Sequence, residues 1–173
     1  MGKLLITAMV CIFLFACKPP EEDRPRLVFD KAAFERERAA WEAQGITSYT
    51  FEIREFFSAG PGPHIQITVT DGKITDIENL IDDEWSDLER YDPSRLVNGW
   101  GTISSVYDRI AERYANALAY IDNYKEDEYR YIHIKYNPRY HYPEEVSEGR
   151  NSYTQPMIGG YGHYFIYDFQ PAP

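Results

Sequence analysis

The stretch Tyr49-Thr-Phe-Glu-Ile-Arg-Glu-Phe-Phe57, Ser58-Ala-Gly-Pro-Gly-Pro63, His64-Ile-Gln-Ile-Thr-Val-Thr70, Asp71-Gly72, Lys73-Ile-Thr-Asp-Ile77 decides the fold. Apolar and polar residues alternate through 49–57 and 64–70, the period of a half-buried strand. Tyr49, Phe51, Ile53 and Phe57 would share one face with Ile65, Ile67 and Val69, while Thr50, Glu52, Arg54, Gln66 and Thr68 would face away. Asp71-Gly72 is tight-hairpin chemistry and introduces a third strand from Lys73 to about Ile81. Ile74 and Ile77 lie three apart, so a bulge or an early exit from the sheet is needed there. Gly60 to Pro63 reads as a stiff, exposed loop.

Outward from this core, Asp30 caps a helix expected from Lys31 to Gln44, stopped by Gly45. Phe34, Arg38 and Trp41 recur at helical spacing, and Trp41 reads as core. A second helix opens at Thr102 or Ser104 and runs to about Asn123. Its apolar stripe is Ile103, Val106, Ile110, Tyr114, Ala117, Leu118 and Ile121. Between them, Glu78 to Asp92 is strongly acidic with interleaved Trp85, Leu88 and Tyr91, and reads as a long loop. Tyr129 to Tyr136 alternates as a strand. Tyr142 to Val146 reads as a short or edge strand, since Pro143 has no amide to donate. Glu148 to Gly162 reads as a loop. His163 to Phe169 closes the sheet with Phe165, Tyr167 and Phe169 on one face, and Gln170 to Pro173 reads as a free tail.

The N-terminus speaks about location. Lys3 precedes an uncharged apolar run from Leu4 to Ala16, too short for a spanning helix of about 20 residues. It ends Leu14-Phe-Ala-Cys17, which resembles a bacterial lipobox, although Phe15 is bulkier than the usual small residue. That resemblance implies a signal peptide over 1–17 and a mature Cys17 carrying a diacylglycerol thioether and an amide-linked acyl chain. Several acyl chains would hold it stably at about 0.8 kcal/mol per buried methylene. An ordinary cleaved signal or a short N-terminal anchor is the alternative. Residues 18–28, rich in Pro and charge, read as a tether. Lys18 after the cysteine leans towards outer-membrane sorting by resemblance to enteric bacteria.

Composition narrows the partners. A net charge of −10 gives no basic footprint for nucleic acid. Apolar content of 43% demands a packed core, and 173 residues suffice for a single domain, 29–169. Fifteen tyrosines suit both sheet faces and binding surfaces. The other cysteine, Cys11, lies in the segment expected to be removed, so no thiol remains for a disulfide, a metal or nucleophilic catalysis.

Chemistry-bearing patterns are sparse. His64, His133, His141 and His163 show no i, i+4 or H-x-H spacing, and Asp82, Asp83, Glu84 and Asp87 lack a calcium-loop pattern. No nucleophile motif or phosphate-cradling loop occurs, and the separation of Glu52, Glu55 and Glu78 is not readable from sequence. No catalytic residue, metal or cofactor is expected. The candidate binding surface is aromatic: Trp85, Tyr91 and Trp100 in the middle segment, and Tyr140, Tyr142, Tyr153 and Tyr161 in the late loops. The same rings could instead pin those loops to the sheet.

Trp41, Tyr49-Thr-Phe51, Val69-Thr-Asp71-Gly72 and Tyr136-Asn137-Pro138 through Tyr142-Pro143 resemble a family of small bacterial lipoproteins and secreted proteins of unknown function. The resemblance runs from about Ala33 to Val146. Two departures stand out: family members often carry a Cys pair near Phe56-Phe57, and Asp and Gly where this chain has Asn137 and His141. It implies a fold and a compartment rather than a reaction. The expected fold is α+β, an antiparallel sheet of about five or six strands with two helices on one face. The expected role is a non-enzymatic, lipid-anchored module facing the periplasm or cell surface, binding an envelope protein or peptide. A glycan or small-molecule binder is the alternative, and an enzyme is a weaker third.

Overall fold

A computed structural model describes residues 24–57, 60–80, 101–123, 127–154 and 162–172. The described chain is α+β, with two helices packed on one face of a mixed seven-stranded sheet. Its elements are β1 (Leu27–Val28), α1 (Lys31–Ala43), β2 (Tyr49–Phe57), β3 (Gly60–Thr70), β4 (Lys73–Asn79), α2 (Ile103–Ala119), β5 (Glu128–Tyr136), β6 (Pro143–Ser152) and β7 (Gly162–Pro171). The strand order is β1-β5-β6-β7-β2-β3-β4. No helix among the described residues is long and apolar enough to cross a membrane.

The helices form where their caps demand. Asp30 accepts a hydrogen bond from the Ala33 amide at 2.9 Å, and Gly45 leaves α1 at φ +64°. Thr102 and Ser105 make a reciprocal capping box that opens α2. The regular helix ends at Ala119, and Ile121–Asn123 continues as a 3-10 turn. Both helices meet the inner sheet face. Trp41 lies edge-on to Tyr49 at 5.7 Å, Phe34 packs on Tyr107 at 5.6 Å, and the Ile103 amide donates to the Tyr49 hydroxyl at 3.0 Å. Phe51, Ile67, Val106, Tyr107 and Ile110 form the fully buried centre between the layers.

The Asp-Gly hairpin is present as expected. Asp71 and Gly72 sit at φ +50° and +73°, the two left-handed positions of its turn. The bulge needed in the third strand is also present: Thr68 faces Asp76 while Val69 faces Ile74, leaving Thr75 as the extra residue.

Several expectations are corrected. The sheet has seven strands rather than five or six, and it is mixed rather than antiparallel, because Leu27–Val28 pairs parallel with Arg130–Tyr131. That strand lies within the stretch read as tether. Gly60 to Pro63 belongs to β3, with Gly60 opposite Phe57 and Pro61 opposite Phe56, so it is strand rather than loop. β6 is neither short nor an edge: it runs ten residues between β5 and β7 and absorbs Glu148 to Ser152. The tail is not free either, since Gln170 and Pro171 pair with β2 and the Ala172 amide donates to the Ser48 carbonyl at 2.9 Å. Finally, Phe169 does not share a face with Phe165 and Tyr167. Asp168, at φ +50°, is an extra residue opposite β2, and the bulge turns Phe169 inward onto Trp41 and Tyr49.

Candidate functional site

The inner face of the sheet changes character from one end to the other. Continuing the alternation Tyr49, Phe51, Ile53 brings Glu55 inward, and on β6 it brings Glu148 and Arg150 inward after Val146. α2 meets this end with Arg109 and Arg113, one turn apart. Arg113 forms an ion pair with Glu148 and donates to the Tyr164 hydroxyl at 3.1 Å. Tyr164, 4% exposed, hydrogen-bonds in turn to Glu55. Beside this chain Glu128, also 4% exposed, pairs with Arg150 at 2.8 Å.

Burial dominates the electrostatics here. It pushes the Glu55 carboxyl above the usual carboxylate range, against the opposing pull of Tyr164 and of the Arg113 and Arg109 charges. It raises the Tyr164 phenol and lowers the Arg113 guanidinium. Gly162 packs closely here: a Cβ there would lie 3.1 Å from both Glu148 Oε1 and the Tyr164 hydroxyl, so those side-chain ends would have to shift by a few tenths of an ångström. A cavity of about 140 Å³ opens between α2, β5 and β6, lined by Arg113, Asn116, Arg130 and Glu148 over Ile132 and Gly149.

The outer face lies opposite both helices. Across β7, β2 and β3 it carries Phe165, Tyr167, Phe56, Arg54 and His64, all half-buried. Phe56 meets Phe165 edge-on at 5.5 Å, and Arg54 lies 5.0 Å over the Phe56 ring. His64 lies 2.8 Å from Glu52, and His163 lies 2.8 Å from Glu145 and 4.3 Å from the Phe165 ring centre.

Of the aromatic residues singled out from sequence, three fall among those described, and they do not form one surface. Tyr142 is 4% exposed and packs on Phe169 with the rings tilted and their centres 4.9 Å apart; burial, ahead of the Glu144 charge, pushes its phenol up to about 12. Tyr140 packs on the same Phe169 at 5.0 Å. Tyr153 is at the other end of the sheet, stacked on Tyr129, with its hydroxyl donating to the Pro25 carbonyl at 2.7 Å. Trp85, Tyr91, Trp100, Tyr161 and Cys17 lie outside the described residues.

The two departures noted in the late segment have a structural account. Asn137 Oδ1 accepts from the amides of Arg139 and Tyr140, as an aspartate would, while its Nδ2 donates to Glu144 at 2.7 Å, which an aspartate would repel. His141 sits at φ +61°, where a glycine is comfortable, and Nδ1 lies 2.8 Å from Glu37 of α1. The Tyr107 hydroxyl donates to the His141 carbonyl.

Sequence reading passes over the inward ionic residues because it assigns only the apolar members of the alternation, Tyr49, Phe51, Ile53 and Phe57, to the inner face and leaves out Glu55 between them. The signal was available: strict alternation from Tyr49 reaches Glu55 first.

Fold and site together define an α+β module of one mixed sheet and two helices, with a sheet face that neither helix covers and an ionic cavity at one end of its core. The chain belongs to a family of unknown function (DUF6174), matched over residues 33–154. No curated protein and no solved structure matches it.

Proposed function

We propose that the protein is a bacterial lipoprotein, held through acylated Cys17, whose domain is a non-enzymatic interaction module of the cell envelope. Its partner is a folded envelope protein that docks on the outer sheet face. The observation that carries the docking reading is the half-buried group Phe56, Phe165 and Tyr167 beside Arg54, on the face opposite both helices. Aromatic residues and arginine are the types enriched in protein interfaces. The anchor rests on the Leu14-to-Cys17 segment and its apolar leader. A glycan or small-molecule role through the late aromatics draws less support, since Tyr142 is buried and Tyr140 packs against Phe169.

The entry of the chain sets an orientation for this reading. β1 runs parallel to β5, and Tyr153 binds the Pro25 carbonyl, so the chain enters at the ionic end of the sheet. Residues 18–23 span roughly 20 Å when fully extended, at up to about 3.5 Å per residue. The ionic end would therefore face the membrane closely, leaving the sheet face turned aside from it.

The test places a photo-crosslinking residue at Phe165 in the full chain, expressed in intact bacterial cells of its source. A discrete adduct that disappears with Arg54→Glu is expected. Absence of any adduct at this position, with the protein present, overturns the docking reading. Cys17→Ser is expected to free the protein from washed membranes; retention of that variant overturns the anchor independently.

A further inference from the structure

We propose that the edge strand β4 pairs antiparallel with β4 of a second copy of this chain, joining the two sheets into one. β4 ends the strand order, and among the described residues no strand pairs with its outer edge. Its residues are exposed apart from Ile74 and Ile77, which are half-buried against the core. An edge of this kind is a template for another strand.

The bulge makes the strand self-complementary. Ile74 lies opposite Val69 and Ile77 opposite Ile67, so both belong to the inner face. Lys73, Asp76 and Glu78 lie opposite Thr70, Thr68 and Gln66 on the outer face. Thr75, the extra residue, joins them there, with its hydroxyl 3.2 Å from that of Thr70 and 3.4 Å from the Thr68 carbonyl. From Lys73 to Glu78 the faces therefore run outer, inner, outer, outer, inner, outer, the same from either end. Turning a second copy about the Thr75–Asp76 bond sets Lys73 opposite Glu78, Ile74 opposite Ile77 and Thr75 opposite Asp76. The charged pairs are then of opposite sign, and each isoleucine meets an isoleucine. Centring the pair on Ile77 instead sets Asp76 against Glu78, and like charges disfavour that register.

The backbone agrees with the same register. The Leu80 amide donates to the His64 carbonyl at 2.9 Å. Main-chain groups alternate in direction along a strand, so those of Glu78 also turn to β3 and those of Ile77 turn to the open edge. From the other end, Lys73 closes the tight turn with Thr70, so the groups of Ile74 turn to the open edge too. Ile74 and Ile77 are thus the residues with ladder bonds to offer, and a directly opposed pair of this kind exchanges both N–H···O bonds.

The two-fold axis stands normal to the sheet. Both outer faces therefore look the same way, and the two chain entries fall at opposite ends of the joined sheet. A single anchored copy stands on its ionic end, whereas an anchored pair lies along the membrane. That consequence rests on the proposed anchor; the pairing itself does not. A contact of one strand with another is a small and weak interface, and tethering to one membrane raises the effective concentration it needs.

The experiment is oxidative cross-linking of the purified full chain in detergent micelles, with copper phenanthroline as the oxidant. Lys73 and Glu78 are both exposed, so cysteine at either site leaves the core untouched. Across the pair they form a non-hydrogen-bonded couple with Cα atoms about 4.5 Å apart, within reach of a disulfide. Wild type sets the background from Cys11 and Cys17. Mixing Lys73→Cys with Glu78→Cys is expected to give at least about fivefold more linked dimer than either variant alone, since like positions lie roughly 15 Å apart along the strands. In sedimentation velocity, Lys73→Glu and Glu78→Lys are each expected to weaken association about tenfold, and the double variant to restore it. No linked dimer above background, equal yields from the mixture and from either variant alone, or a double variant that associates no better than the single ones would each overturn the proposal.

Discussion

The two ends of the helix–sheet core solve the same packing problem in opposite ways. At the end near the β5–β6 turn, Phe169 is surrounded by Trp41, Tyr49, Tyr140 and Tyr142, with ring centres 4.9–5.7 Å away. The polar groups there are tied together: Tyr107 to the His141 carbonyl, Gln44 to the Tyr140 carbonyl at 2.7 Å, and Glu37 to His141. At the far end the same layers meet through Glu55, Tyr164, Arg113 and Glu148 beside a cavity. Apolar and aromatic burial stabilises by about 25 cal/mol per Å², whereas desolvated ion pairs roughly break even. The comparison assigns stability to the aromatic end and little of it to the ionic end.

The strongest way to break that assignment is at Tyr107. It is fully buried, it packs on Phe34 and Tyr136, and its hydroxyl holds the turn. Tyr107→Ala is expected to cost about 4 kcal/mol in chemical unfolding, the range of a buried aromatic truncation. Tyr107→Phe keeps the ring and leaves the His141 carbonyl without its donor, for a loss of about 1–2 kcal/mol. A loss under about 1 kcal/mol in the alanine variant would mean that the aromatic end does not carry the fold.

Legibility from sequence follows the same divide. The helices, the Asp71-Gly72 turn and the strands with apolar inward residues could be read, because burial imposes a period on composition. β6 could be read only as far as Val146. Beyond it the inward positions are Glu148 and Arg150, and Gly149 stands between them, so no apolar alternation survives. Glu55 was missed for the same reason. β1 is two residues long and has no period to detect. The turn of Phe169 to the inside depends on one left-handed aspartate, Asp168, which alternation alone does not reveal.

A smaller effect of opposite sign is expected at the ionic end. Burial raises the folded-state pKa of Glu55 above its unfolded value. The folded protein therefore holds that proton more tightly. The stabilisation is full below the unfolded pKa and is lost as pH rises through the folded one. At neutral pH the ionised carboxylate is a burden, and Glu55→Gln keeps an acceptor for Tyr164 without the charge. Its stability at pH 7 is expected to match or exceed that of wild type. Its unfolding free energy should also fall less than that of wild type as pH rises from about 4 to 7. A clear loss at pH 7 would move the ionic end to the stabilising side of the comparison.

The smallest expected effect lies at His141, where two terms oppose. A left-handed conformation costs a residue with a Cβ roughly 1–2 kcal/mol relative to glycine. The contact with Glu37 returns something below about 1 kcal/mol, since the imidazole is about a third exposed and an ion pair there is partly screened. His141→Gly is therefore expected to change stability at neutral pH by less than about 1 kcal/mol, the difference of those terms. The pH dependence separates them. The hydrogen bond from His141, ahead of Arg36, holds the Glu37 carboxyl below its usual range. A depressed carboxylate contributes stability above its unfolded pKa and loses it as pH falls through the folded value. Glycine removes the larger cause and leaves Arg36, so the variant should lose less stability than wild type between about pH 5 and pH 3. The two curves then draw together or cross in acid, where the relief of backbone strain persists and the histidine contact no longer offsets it. Parallel curves across that window would show that the Glu37 contact is idle and that the turn is held by Tyr107 and the aromatic cluster alone.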